Sequence, residues 1–215
     1  PKPATLEQPA EQQNPEAGRP AELQVTQTQP AEMEPKNEET PSEDKSQPQG
    51  PLADPVTLVF EWSQEVSMAA FRRNKYVWIV FGARSPIRTA PLLQQSRTLI
   101  DRIDRIPSGQ ATILRIQTKD NSINVSNVQL NGTSWLIEFS QSPMQPIAPI
   151  PFGISVADSR GPQLLMPMEA SGQLFLFQDP DVGDTVQVVA ITEPGLGIDS
   201  ERAYPEFQIL ASAQG

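Results

Sequence analysis

All thirteen aromatic residues of this chain lie after Pro55. Residues 1–55 instead hold eleven prolines and eleven acidic residues against four basic ones, Lys2, Arg19, Lys36 and Lys45, with Gln and Glu prominent among the rest. Ordering a chain costs about 1–2 kcal/mol per residue in backbone entropy, and a segment this poor in apolar surface cannot offset that loss. Residues 1–55 are therefore expected to be a disordered, proline-stiffened acidic spacer. Residues 56–215 are rich in Val, Ile, Leu and Phe and long enough to bury a core of one domain or two small ones.

A second constraint is the absence of His and Cys from all 215 residues. The commonest general base, the thiol nucleophile and the soft metal ligands are thereby missing. No Gly-x-Ser-x-Gly elbow and no glycine-rich phosphate loop with a Lys occurs either. The densest acidic set, Asp179, Asp181 and Asp184, lacks the later bidentate Glu of a calcium loop, and turn chemistry accounts for it. The expectation is a non-catalytic protein with no metal and no cofactor. A carboxylate-based enzyme is the least favoured alternative, one that a pocket converging two or more carboxylates would revive.

Period-two patterning dominates the folded part. Residues 57–62 alternate Leu58, Phe60 and Trp62 on one face. Residues 66–71 and 76–81 read as a hairpin around the polar turn 72–75, and the nearly uncharged return, Tyr76 to Phe81, as a central strand covered on both faces. Residues 123–130 and 135–139 repeat the unit around Asn131-Gly132, a favoured pair for a tight hairpin turn. A third copy is expected from 164–168 and 174–177, turning near Ser171-Gly172. Residues 111–118, 152–157, 185–191 and 206–210 read as further strands. Between the first two units, Leu92, Leu93, Leu99, Ile100, Ile103 and Ile106 fall near helical spacing, which predicts one amphipathic helix over about 91–105, opened by Pro91 and closed by Pro107-Ser108-Gly109. The fold class expected is mostly β: two antiparallel, sandwich-like β modules, 56–142 with the helix and 152–215, preceded by the disordered tail. Residues 143–151, with four prolines, read as the connection. Trp62, Trp78 and Trp135 each sit in an apolar strand pattern, so core packing is expected for at least two of them.

Charge is uneven. Residues 56–120 carry ten basic and five acidic side chains, whereas 121–215 carry two and ten. With a net charge of −10 overall, nucleic acid is not an expected partner. No run of 18 apolar residues is present, so no membrane-spanning helix is expected. The candidate binding residues are Arg72, Arg73 and Lys75 at the first hairpin tip, with Arg84 and Arg88 after the next strand. A cationic tip of this kind suits an anionic wall polymer or an acidic protein surface. The start at Pro1 suggests a processed export or an excised fragment, and the lack of Cys agrees with a bacterial envelope protein.

The runs Phe60-Glu-Trp62, Ala69-Ala-Phe-Arg-Arg73, Val77-Trp-Ile-Val-Phe81 and Ala111-Thr-Ile-Leu-Arg-Ile116 resemble the front part of large uncharacterised envelope proteins of alphaproteobacteria. In those proteins a β-rich N-terminal region precedes tetratricopeptide-type helical repeats. The resemblance continues through Asp179-Pro-Asp-Val-Gly-Asp184 and Tyr204-Pro-Glu-Phe207 to Ala213-Gln-Gly215, covering most of 56–215. The hairpin pattern is also similar to AMIN-type β modules, which attach to peptidoglycan or to an envelope machine. The resemblance implies a periplasmic or envelope location, and a binding or scaffold module contacting peptidoglycan or an envelope protein. The alternative it implies is a structural domain that orients helical repeats for protein–protein assembly. Neither family supplies catalytic residues.

Overall fold

A computed structural model describes residues 53–142, 145–155 and 163–215, all within one compact unit, Pro48–Gly215. The expected spacer lies outside the described residues save for its last three. Of these, Ala53 packs against the core and donates its N–H to Gln141 Oε1 at 3.3 Å. The described residues are mostly β, with one helix and several antiparallel sheets among them. The strands are β1 (Val56–Phe60), β2 (Met68–Arg73), β3 (Tyr76–Phe81), β4 (Ile100–Ile106), β5 (Thr112–Thr118), β6 (Asn124–Asn131) and β7 (Ser134–Ser140). They continue with β8 (Ala148–Pro149), β9 (Gly153–Ser155), β10 (Gln163–Leu165), β11 (Gly172–Gln178) and β12 (Thr185–Ile191). Four short strands close the chain: β13 (Leu196–Gly197), β14 (Arg202–Ala203), β15 (Gln208–Ile209) and β16 (Ser212–Gln214). The helix α1 (Thr89–Gln95) lies between β3 and β4.

Every side chain of β3 is buried, so both its faces must be covered. Side chains alternate across a strand. Val77, Ile79 and Phe81 enter one core with Met68 and Ala70 of β2 and with Leu114 and Ile116 of β5. That core is closed by a three-stranded sheet, β1-β7-β6, through Leu58, Phe60, Val125, Val128, Trp135, Ile137 and Phe139. Tyr76, Trp78 and Val80 enter a second core with Ala69, Phe71 and Ile113, covered by Phe175, Val186, Val188 and Ala190 of the β11–β12 ribbon. Trp78 and Trp135 are fully buried, and half-buried Trp62 lies 4.9 Å from the Phe81 ring.

The larger sheet runs β11-β12-β2-β3-β5-β4. The outer edge of β2 is divided: Met68 pairs with Ile191 of β12, while Ala70 and Phe71 pair with β16. Because β12 leaves β2 after that single pair, its ribbon is free to cross the second core. Of the stretch expected to form a separate module at 152–215, β11, β12 and β16 are thus hydrogen-bonded into the sheet begun at Met68, while β9–β10 and β14–β15 pair only with each other and β13 with β8.

The helix departs from its expected span. It stops at Gln95, where Ser96 caps it by donating its N–H to Leu92 and Leu93 and its hydroxyl to Leu92 O at 2.7 Å. Residues 100–106 form β4, whose register against β5 shifts between Ile100 and Arg102. A bulge inserts one residue and breaks the period of two, so Ile100 and Ile103 share a face at a spacing of three that mimics a helix. The same device places Val125 and Val128 together around the shift at Ser126. The third hairpin is also rebuilt: β10 pairs with β9, and β11 with β12. At the second hairpin the two loop residues are Gly132 and Thr133; only Gly132 has positive φ, at 61°. Residues 143–144 of the expected connection and 156–162 lie outside the described residues.

Trp135 joins the sheets by donating its indole N–H to Val66 O at 2.8 Å. Trp135→Phe is expected to cost about 2–3 kcal/mol, since it opens a cavity and strands a buried carbonyl. Trp62→Phe is expected to cost under about 1 kcal/mol, because its buried indole N–H has no partner among the described residues to lose. Urea midpoints at constant m-value measure the contrast.

Candidate functional site

Strand alternation decides what the five candidate cations do. Arg72 and Arg73 are the last residues of β2, not part of the loop, and adjacent strand residues face opposite ways. The loop proper is Asn74-Lys75, with Asn74 at φ 55°.

Arg72 turns toward the three-stranded sheet. Its Nε–H donates to Asn124 Oδ1 at 2.6 Å, and its Nη2 to Thr118 Oγ1 at 3.3 Å and to the carbonyl of Ile123. Burial lowers its pKa, partly offset by the charge of Asp120. Arg73 turns the other way, pairing with Asp179 and Asp184 at the tip of the β11–β12 ribbon. Lys75 is exposed at the loop, with its ammonium 5.2 Å from the Tyr76 ring centroid. Arg84 and Arg88 are exposed on the segment beyond the other end of β3, roughly 17–20 Å away for a strand of six residues. The five cations therefore do not converge: two hold the fold together, one marks a hairpin tip and two lie at the far end.

The ribbon tip has a cation that the sequence reading passed over, Arg115 of β5. It shares the inward face of Ile113 and donates from Nη1 to Asp181 Oδ1 at 2.8 Å and from Nη2 to Asp104 Oδ2 at 3.4 Å. Its guanidinium lies 4.4 Å from the Tyr76 ring centroid. Burial opposes its charge, yet its pKa is raised because Asp181, Tyr76 and Asp104 outweigh that effect. The signal was present in the sequence as a lone charge inside the apolar run of β5.

Backbone geometry forms the tip itself. The Asp179 N–H donates to Asp184 O at 3.0 Å, that of Asp181 to Asp179 Oδ1 at 3.0 Å, and that of Gly183 to Asp179 O at 2.7 Å, with Gly183 at φ 84°. These three acids are thus turn formers and arginine acceptors. Among the described residues no three His, Cys, Asp or Glu side chains group as a metal site. A cavity of about 310 Å³ between Ser67, Gly82 and Gln173 has one carboxylate in its lining, Glu65.

Apolar groups stay exposed at several places among the described residues, β1 and the β9–β10 pair included, and two further surfaces combine exposure with a distinct chemistry. One is β11, which among the described residues pairs with β12 alone and exposes Leu174 at 54% and Leu176 at 61%. The other is the β14–β15 hairpin, where the Tyr204 and Phe207 rings stack 4.8 Å apart and Arg202 sits 4.5 Å over Phe152. Compared with known proteins, the chain matches no family model, no curated protein and no solved structure. No helix among the described residues is long and apolar enough to cross a membrane.

The Arg73 and Arg115 pairs latch the ribbon onto the central sheet, with consequences for charge and pH. Arg73→Ala leaves Asp179, 2% exposed, without its counter-charge and is expected to cost about 3 kcal/mol. The Arg115 hydrogen bond holds the Asp181 carboxyl below the usual aspartate range. A depressed folded pKa gives stability that is complete above the unfolded value, near 3.9, and lost as pH falls through the folded one. Hydrogen exchange at β11 and β12 is therefore expected to accelerate below about pH 4 before that at β3 and β5, and Arg115→Ala is expected to abolish the Asp181 contribution.

Proposed function

We propose that this chain is a non-catalytic binding and scaffold module of the bacterial envelope that takes an extended segment of a protein partner along the free edge of β11. The observation that carries this reading is the chemistry of that edge. Unpaired strand edges are templates for added strands, and proteins ordinarily blunt them with charge, proline or a covering element. The opposite edge of the same sheet is blunted: β4 carries Asp101, Arg102, Asp104 and Arg105, and α1 packs beside it. In β11, Gly-Gln-Leu-Phe-Leu-Phe-Gln, seven residues hold no charge and no proline. Phe175 anchors the strand in the second core while Leu174 and Leu176 face outward. The latch beneath the ribbon supports the reading further, because a held edge has less ordering to lose on binding. The envelope setting rests on the sequence resemblance.

A second reading, contact with cell-wall polymer, is favoured by the aromatic and basic hairpin at Arg202–Phe207, where Phe207 remains 39% exposed. Stacking rings and a cation suit a sugar polymer bearing carboxylates.

One experiment separates the two. The full chain is incubated with envelope extract and, in parallel, with purified peptidoglycan sacculi. The edge reading expects retention of an envelope protein that protects β11 amides from hydrogen exchange and is lost in Leu174→Lys/Leu176→Lys. Pelleting with sacculi that is lost in Arg202→Ser/Phe207→Ser supports the polymer, and pelleting lost in Lys75→Ser/Arg84→Ser/Arg88→Ser returns the role to the scattered cations. A chain that neither retains protein nor pellets, and whose β11 amides exchange freely, sinks both readings.

A further inference from the structure

Resting on the edge reading of β11, the geometry points to a second copy of this chain as the occupant of that edge: we propose that two chains pair β11 against β11, antiparallel, to make one sheet across a two-fold axis.

Symmetry restricts the register. A two-fold axis normal to the sheet carries the outward face of one copy onto the outward face of the other, so a residue can pair only with one of its own parity. The register that uses all seven residues centres on Phe175. It sets Leu174 opposite Leu176 of the other copy, Gln173 opposite Phe177 and Gly172 opposite Gln178. Four outward leucines, each more than half exposed in the single chain, then lie side by side on one surface. Directly opposed side chains in antiparallel strands have Cβ atoms about 4.5–5.5 Å apart, within reach of apolar contact.

Charge permits the same partner. A pair of β4 strands would carry two acids and two arginines from each copy into the seam. Gly172–Gln178 presents none, so self-pairing meets no repulsion along the ladder. The strand also ends where pairing must end: Asp179, 2% exposed, begins the turn back toward Arg73 and Arg115, which draws the tip acids away from the seam. A polar peptide would satisfy the backbone of β11 equally well, but a strand that also covers Leu174 and Leu176 must carry outward apolar side chains at the matching parity. The chain supplies such a strand in itself.

The test is the mass of the full chain by sedimentation equilibrium from about 1 to 200 μM, together with a covalent test of register. A dimer has twice the 23.6 kDa of the single chain. Leu176→Lys puts a cation into the leucine cluster of each copy without touching the core behind Phe175, and is expected to raise the dimer dissociation constant more than about tenfold. Near-ultraviolet circular dichroism of Trp78 and Trp135 checks that this variant is folded. Because the chain has no cysteine, introduced thiols report only on themselves. Leu174→Cys/Leu176→Cys is expected to form disulfide-linked dimers on mild oxidation, whereas Leu174→Cys alone is not, since its own copy lies two residues along the ladder and outside disulfide reach. A chain that stays single at 200 μM overturns the proposal, as does a dimer that survives Leu176→Lys or a single-cysteine variant that cross-links as well as the double one. A single chain whose β11 is nevertheless protected by an envelope protein overturns the second copy and leaves the edge reading standing.

Discussion

The structure depends on one strand that cannot tolerate water on either side. From Tyr76 to Phe81 every side chain of β3 is buried, with Val77, Ile79 and Phe81 on one face and Tyr76, Trp78 and Val80 on the other. Burying a large apolar side chain stabilises by about 1.5–3 kcal/mol, so leaving either face wet would forfeit several such contributions. Two coverings follow. The sheet β1-β7-β6 closes the first face and the β11–β12 ribbon the second, and the chain reaches the ribbon by way of a β2 edge shared between β12 and β16.

The charged residues next to this strand are recruited to the same task. Arg72 ties the main sheet to the end of β6, while Arg73 and Arg115 tie it to the ribbon tip. Of what had the look of a basic patch, Arg72 and Arg73 are therefore split between two interfaces within the molecule while Lys75, Arg84 and Arg88 stay exposed, and the acids that had the look of an ion loop are partners of Arg73 and Arg115. The uncharged edge of β11 is left exposed among the described residues, and its ribbon is held by Arg115 and by Arg73, a cation that a sequence reading would assign to binding.

The fold class was legible because it depends on alternation, and alternation is local. The hairpin of β2 and β3, the hairpin of β6 and β7, and the strands at 112–118 and 185–191 all stand near their expected places. The failures are local patterns with two readings. Ile100 and Ile103 have a helical spacing, yet a bulge gives a strand the same spacing, and Ile106 beyond it faces the other core. Leu164 and Leu174 each suit a strand, but which strand pairs with which is a long-range choice that hydrophobicity does not encode. The candidate site was legible only as an inventory: Arg72, Arg73, Lys75, Arg84 and Arg88 were identifiable as cations, whereas Arg115 was hidden as one charge in an apolar run.

By itself the sequence determined that residues after Pro55 form a mostly β structure around Tyr76 to Phe81, and that chemistry requiring His or Cys is excluded, because composition and period act within a few residues. Only the tertiary structure decided that β11, β12 and β16 join the sheet of β2 and β3, that Arg72 and Arg73 face opposite cores, and that β11, at one end of that sheet, exposes an uncharged edge among the described residues while β4 ends the other. Those outcomes are set by which distant groups meet, Asp179 with Arg73 or Ile191 with Met68, and no local pattern carries the free energy of a contact made across more than a hundred residues.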